Sequence, residues 1–120
     1  MNNKTVMLFD DDAQILDVCT MVLEFSGYEV ITSATVENIV EQVVAAGPDV
    51  ILMDNWIPDI GGVRATQLIK QDENIRHIPV IYISANSNVE DLAREAGAER
   101  YLAKPFDIEQ LERAVQESIQ

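Results

Sequence analysis

The sequence predicts an α/β fold, a (βα)5 doubly wound sheet of five parallel strands in the order 2-1-3-4-5. Short apolar runs alternate with stretches of helical periodicity five times over, without internal repeats, low-complexity tracts or a linker. Three of the runs, Val6–Phe9, Val50–Met53 and Pro79–Ile83, are continuously apolar, as strands covered on both faces are. The other two, Tyr28–Ser33 and Arg100–Ala103, are more polar or shorter and suit sheet edges. Placing the first, third and fourth strands centrally satisfies that order, and its switch point then lies between the first and third strands. The residues that follow each strand gather at one rim, where open α/β sheets bind ligands.

Each element has its own signals. Val6–Phe9 runs into Asp10-Asp11-Asp12, and Asp12 is placed to cap a helix over Ala13–Ser26 that Gly27 stops. That helix is expected to turn Ile15, Val18, Cys19, Val22 and Phe25 inward. Thr35 is expected to cap the second helix, with Val36, Ile39, Val40, Val43 and Val44 at helical spacing and Gly47-Pro48 as its end. Val50–Met53 leads through Asp54 into a loop to Gly62. The third helix runs from Val63 to about Gln71, with Leu68 and Ile69 inward. Ser87-Asn88-Val89-Glu90 reads as a capping box for a short helix ending at Gly97, which has few large apolar groups and should be the most loosely held. Asp107 caps the last helix, with Ile108, Leu111, Val115 and Ile119 inward.

Composition narrows the function. The 120 residues make one domain with a single core, and 48% are hydrophobic, so the chain is not a disordered tail. Net charge is −13, from 21 acidic and 8 basic residues, which disfavours direct nucleic-acid binding by this chain. The single cysteine, Cys19, allows no internal disulfide and reads as a small core residue. Met1–Lys4 shows no signal-peptide pattern and no apolar run approaches the ~20 residues of a membrane span. A soluble, cytoplasmic protein without membrane contact is expected.

The chemistry lies at the strand ends. Asp10 and Asp11 follow the first strand, Asp54 the third, Ser84 the fourth and Lys104 the fifth. Two carboxylates ~4 Å apart repel by about 4 kcal/mol at an effective dielectric of ~20, so gathering three calls for a cation. Hard oxygen ligands suit Mg²⁺ or Mn²⁺. With Lys104 as a fixed positive charge and Ser84 as a hydroxyl donor, Asp54 is read as a nucleophile for phosphoryl transfer. Taken singly, each residue has a plainer reading, as a solvated loop, a turn residue or a surface lysine. Their common placement at strand ends carries the weight.

The motifs Phe9-Asp10-Asp11-Asp12, Leu52–Asp59 with Gly62, Ser84-Ala85 and Tyr101–Phe106 stand in order and in register with one family. Over essentially its whole length the chain resembles the receiver domain of two-component response regulators, the chemotaxis regulators included, with their flavodoxin-like fold. The resemblance implies that Asp54 accepts a phosphoryl group from a sensor histidine kinase or a histidine phosphotransfer protein. It implies that Asp11, Asp54 and the Trp56 backbone carbonyl bind Mg²⁺, with Asp10 acting largely through water. Lys104 and Ser84 would hold phosphoryl oxygens, the Lys104–Pro105 bond would be cis, and Tyr101 would move inward with Ser84 as the switch aromatic. The surface from Ser87 to the last helix would then be read by an effector protein, or by a domain absent from this chain. Such a domain catalyses only its own phosphorylation and dephosphorylation. A phosphorylation-dependent homodimer is compatible with this reading.

Some positions depart from the family pattern. Ser84 stands where threonine is frequent, and Gly61 where an acidic or polar residue is frequent. Trp56 either shields an acyl phosphate from water and slows its loss, or lies on the loop surface; Asn86 is the other position expected to tune that rate. His77 is read as a surface residue. Three rivals remain. A haloacid-dehalogenase-type phosphohydrolase also uses a strand-end aspartate, Mg²⁺ and a lysine, but Ala13-Gln14 does not fit its continuation after Asp10-x-Asp12. A docking module without phosphorylation would have no need of the intact set. A flavodoxin-type carrier would need a Ser/Thr/Gly-rich phosphate loop after the first strand.

Overall fold

The computed structural model describes residues 4–119; the Met1–Asn3 part of the leader reading lies outside them. Five strands and five helices alternate: β1 Thr5–Phe9, α1 Ala13–Phe25, β2 Glu29–Ser33, α2 Ile39–Ala46, β3 Val50–Asp54, α3 Gly61–Gln71, β4 Val80–Ser84, α4 Val89–Ala96, β5 Arg100–Ala103 and α5 Ile108–Ile119. All four strand pairings are parallel, in the order β2-β1-β3-β4-β5. The expected topology is therefore observed. Every residue of β3 and β4 is buried, whereas β2 and β5 expose most of theirs, as central and edge strands should. Among the described residues no helix is long and apolar enough to cross a membrane.

Alternation along the strands divides the core in two. Met7, Phe9, Ile51, Met53, Val80 and Tyr82 face α2, α3 and α4. Val6, Leu8, Val50, Leu52, Ile81 and Ile83 face α1 and α5. Asp12 caps α1, its Oδ1 accepting the Gln14 N–H at 2.9 Å. Asp107 caps α5: its Oδ1 accepts the Gln110 N–H at 2.8 Å, and Gln110 Oε1 accepts the Asp107 N–H at 2.9 Å. That reciprocal pair is the capping box of this fold.

Five local expectations are corrected. Thr35 does not cap α2. Its Oγ1 accepts the Glu37 N–H at 3.1 Å within a turn, and Asn38 takes a left-handed conformation (φ 51°), so the helix starts only at Ile39. Val36 is buried nonetheless, from outside the helix. The Ser87 capping box does not form: α4 begins one residue later, after Asn88, and the Glu90 carboxylate pairs with Arg94 at 3.5 Å. In α1 Cys19 and Leu23 are buried and the expected Ile15 and Val22 are half-buried against the same core, while Val18 and Phe25 are exposed, Phe25 by 94%. Val18, Met21 and Phe25 form a second apolar stripe at i, i+3, i+7, so apolar spacing alone could not tell the two faces apart. Ile108, in the first turn of α5, is exposed, whereas Leu111 and Val115 are buried. α3 starts at Gly61, two residues before the expected point.

Leu23 and Phe25 thus make opposite predictions. Leu23→Ala should cost about 2–5 kcal/mol in urea unfolding, as truncation at a filled core site does. Phe25→Ala should stay within about 0.5 kcal/mol of the wild type.

Candidate functional site

Parallel pairing places the site. β1 lies beside β3 with Phe9 opposite Met53, so the next residues, Asp10 and Asp54, come out side by side at the C-terminal rim. β5 lies beside β4 with Ala103 opposite Ser84, so Lys104 leaves the rim two strands away and reaches back across it. The Lys104 N–H donates to the Ser84 carbonyl at 2.9 Å, which fixes the root of that side chain.

Asp10, Asp11 and Asp54 each offer a carboxylate oxygen, and the three oxygens lie within 4.8 Å of one another. Asp10 and Asp54 are buried, while Asp11 is exposed. The Lys104 ammonium sits 2.7 Å from Asp54 Oδ1 and 3.2 Å from Asp10 Oδ2. Asp54 Oδ2 accepts the Trp56 N–H at 2.9 Å, and Asp10 Oδ1 accepts the Asp12 N–H at 2.9 Å. Each buried carboxylate therefore shares a lysine and also accepts one backbone donor.

Charge balance at the rim is incomplete. Burial pushes the Asp54 carboxyl above its ordinary value and the neighbouring Asp10 charge adds to the rise; the Lys104 hydrogen bond, the Lys104 charge and the Trp56 N–H only partly offset it. Desolvation works against the Lys104 charge, but Asp54 and Asp10 together outweigh it and raise the ammonium above its ordinary value. Cys19, beneath the site, is buried, and burial lifts its thiol to about 11.

The remaining expected residues fall around this centre. Ser84 is buried, and its Oγ accepts the Asn86 N–H at 3.0 Å while retaining a proton to donate. Asn86 is half-buried, and the Lys104–Pro105 bond is cis. Tyr101 is 45% exposed on β5, the outward position for an edge-strand aromatic. Trp56 is 72% exposed on the loop that follows β3. His77 is exposed.

Two residues enter the sequence reading only as a motif glycine and a strand residue, and the structure gives each a supporting role. Gly62 packs against the backbone at the end of β3: a Cβ there would overlap the Asp54 carbonyl oxygen and come within 3.1 Å of Asn55 Cα. Only glycine lets α3 approach this closely, and the Gly62 N–H donates to the Asn55 carbonyl at 3.2 Å. Tyr82 is fully buried in β4 and its hydroxyl donates to Asn55 Oδ1. Burial holds that phenol well above its ordinary value, and the charges of Asp54 and Glu95 add to the effect. The signal was legible, since a tyrosine inside an otherwise aliphatic central strand needs a partner for its hydroxyl.

The raised Asp54 value carries a stability prediction. A carboxyl whose folded value exceeds its unfolded one contributes stability below the unfolded value and loses it as pH rises through the folded value. Ionised Asp54 is therefore a liability at pH ~7 without a cation. Asp54→Asn should raise the thermal unfolding midpoint by a few degrees in EDTA at that pH. The gap should narrow as pH falls toward the ordinary carboxylate value of ~3.9, measured by circular dichroism melts across pH.

Known proteins share this arrangement of sequence and fold. The family model of the response regulator receiver domain matches residues 6–116. The polar-differentiation response regulator DivK of Brucella ovis is 34% identical over 107 residues, covering 88% of this chain and 87% of DivK. The DNA-binding dual master transcriptional regulator RpaA of Synechocystis is 34% identical over 110 residues, but the chain spans only 45% of its length. Among solved structures, the receiver domain of the sensor histidine kinase PA1611 from Pseudomonas aeruginosa superposes with a TM-score of 0.89 at 32% identity, over 98% of each chain, and has a magnesium ion coordinated in its active site cleft. The chain belongs to the response regulator receiver domain family.

Proposed function

We propose that this chain, as a single receiver domain, is the Mg²⁺-dependent phosphoacceptor of a His-Asp phosphorelay, with Asp54 as the residue phosphorylated. The observation that carries the reading is the buried Asp54 carboxylate, hydrogen-bonded to Lys104 and set within 4.8 Å of two further carboxylates. A structural ion pair would need one carboxylate for one lysine. Here one lysine bonds two buried carboxylates and a third carboxylate lies beside them, and a divalent cation (Mg²⁺ or Mn²⁺) fits the deficit. Asp11, Asp54 and the Trp56 carbonyl would hold it, with Asp10 acting through water; exposed Asp11 leaves room for water ligands. When bound, the cation offsets negative charge on the transferring oxygens.

The chain's own residues supply the rest. An Asp54 oxygen attacks the phosphorus of a phosphohistidine on a sensor kinase or phosphotransfer protein. The new O–P bond forms as the P–N bond breaks, and the imidazole leaves with its electron pair. Lys104, already bonded to Asp54, moves its ammonium to a phosphoryl oxygen, and the Ser84 hydroxyl donates to another. Drawing Ser84 toward the phosphoryl group opens space beside β4, into which Tyr101 turns. α4, β5 and α5 then present a changed surface to an effector protein or to a domain beyond this chain. α4 suits that role, because its buried residues are Val89 and two alanines. Trp56 and Asn86 border the acyl phosphate and set how fast water removes it. The protein turns over no external substrate; it acts in the cytoplasm, away from membrane and without direct contact with nucleic acid.

The test uses the single tryptophan, two residues from Asp54. Trp56 fluorescence should respond saturably to Mg²⁺. Acetyl phosphate should then give a further change, which Asp54→Asn abolishes and Lys104→Ala uncouples from the α4–α5 face. Multiple turnover of a small phosphate ester would point instead to a phosphohydrolase. Absence of both responses would leave a docking module.

A further inference from the structure

Tyr82 is the largest of the fully buried side chains, at the centre of β4. Its ring fills the core between the sheet and the α2–α3–α4 layer, a volume phenylalanine would fill equally well. The hydroxyl adds a polar end, and that end meets one acceptor, Asn55 Oδ1. Asn55 is the residue between the phosphoacceptor Asp54 and Trp56. Its backbone is tied on both sides: its N–H donates to the Ile83 carbonyl at 2.9 Å, and its carbonyl accepts the Gly62 N–H at 3.2 Å. The next N–H along, that of Trp56, donates to Asp54 Oδ2 at 2.9 Å. Rotation of the backbone at Asn55 would turn the Asp54 carboxylate and the Trp56 peptide together.

We propose that Tyr82 is a positioning residue for the phosphoryl-acceptor site, acting through Asn55 to fix the backbone that aims Asp54 and the Trp56 peptide. The bond runs from the sheet core to the one loop that carries the nucleophile. A buried hydroxyl could have been satisfied by any nearby carbonyl; here it is spent on the side chain whose backbone spans the site. The role of the bond at Asp54 rests on the phosphoacceptor reading, whereas its effect on the loop can be measured without metal or phosphoryl donor.

The experiment compares wild type, Tyr82→Phe, Asn55→Ala and the double variant. Tyr82→Phe keeps the ring and removes the bond, so the protein should remain folded. In metal-free protein, hydrogen exchange at the Trp56 and Gly62 amides should quicken by about fivefold, the scale of one lost hydrogen bond, while Leu8 and Leu52 in the sheet keep their protection. The Mg²⁺ affinity read by Trp56 fluorescence should fall by roughly tenfold, the lower end for loss of an outer support of a metal site. The double variant should be no worse than the poorer single variant, because both remove one bond. Unchanged exchange at Trp56 and Gly62, or loosening spread evenly over the sheet, would overturn the proposal and leave Tyr82 as core filling. If wild type itself shows no Mg²⁺ response, the phosphoacceptor reading fails, and the exchange data still decide the role of Tyr82.

Discussion

Lys104 holds its ammonium 2.7 Å from Asp54 and 3.2 Å from Asp10, at the rim where β1, β3 and β5 end. Much of the architecture is required to make that contact. The two carboxylates meet only because β1 and β3 are neighbours in register, which requires α1, β2 and α2 to pass outside the pair. The lysine arrives from an edge strand, with β4 between it and the acids. Removing any one of these pairings would leave a buried carboxylate without its cation, which is among the costlier defects a core can carry. The contact is also under-compensated. One positive charge faces three negative ones, and Asp54 stays above its ordinary value despite the lysine. On the proposed phosphoacceptor function, that residual imbalance is what a divalent cation would offset.

The sheet was legible in the sequence because its signal is redundant. Three unbroken apolar runs, two polar ones and five helical stretches admit few arrangements, and the strand-end residues followed once the order was known. Helix faces and caps were less legible. α1 carries apolar residues nearly all round, so the periodicity reading took in the exposed Val18 and Phe25 and passed over the fully buried Leu23, which only the packed structure singles out. Thr35 and Ser87 both have the chemistry of a cap. The left-handed Asn38 and the late start of α4 moved the helix ends past them. Such displacements depend on loop geometry that short-range patterns do not encode.

The support beneath the site was the least legible part. Gly62 and Tyr82 lie 8 and 28 residues from Asp54 in the chain, and each touches the same short segment after β3. Gly62 does so by lacking a side chain, Tyr82 by carrying one hydroxyl too many for an apolar core. In sequence Gly62 stands out only as one residue of a strand-end motif, and Tyr82 only as a tyrosine in an otherwise aliphatic strand. Their meaning comes from the third dimension, where α3 and β4 converge on Asn55. The segment from Asp54 to Trp56 is thereby tied to the sheet through Ile83, to α3 through Gly62 and to the core through Tyr82. A carboxylate held in this way is fixed in direction by three separate parts of the fold.

Borohydride trapping tests whether Asp54 itself forms an acyl phosphate. The protein would be incubated with Mg²⁺ and acetyl phosphate, reduced with borohydride, digested and mapped by mass. A phosphoacceptor Asp54 should yield homoserine at position 54 and at no other aspartate, dependent on both Mg²⁺ and the phosphoryl donor. Reduction at Asp10 or Asp11, or an unmodified Asp54 under saturating donor, would contradict it.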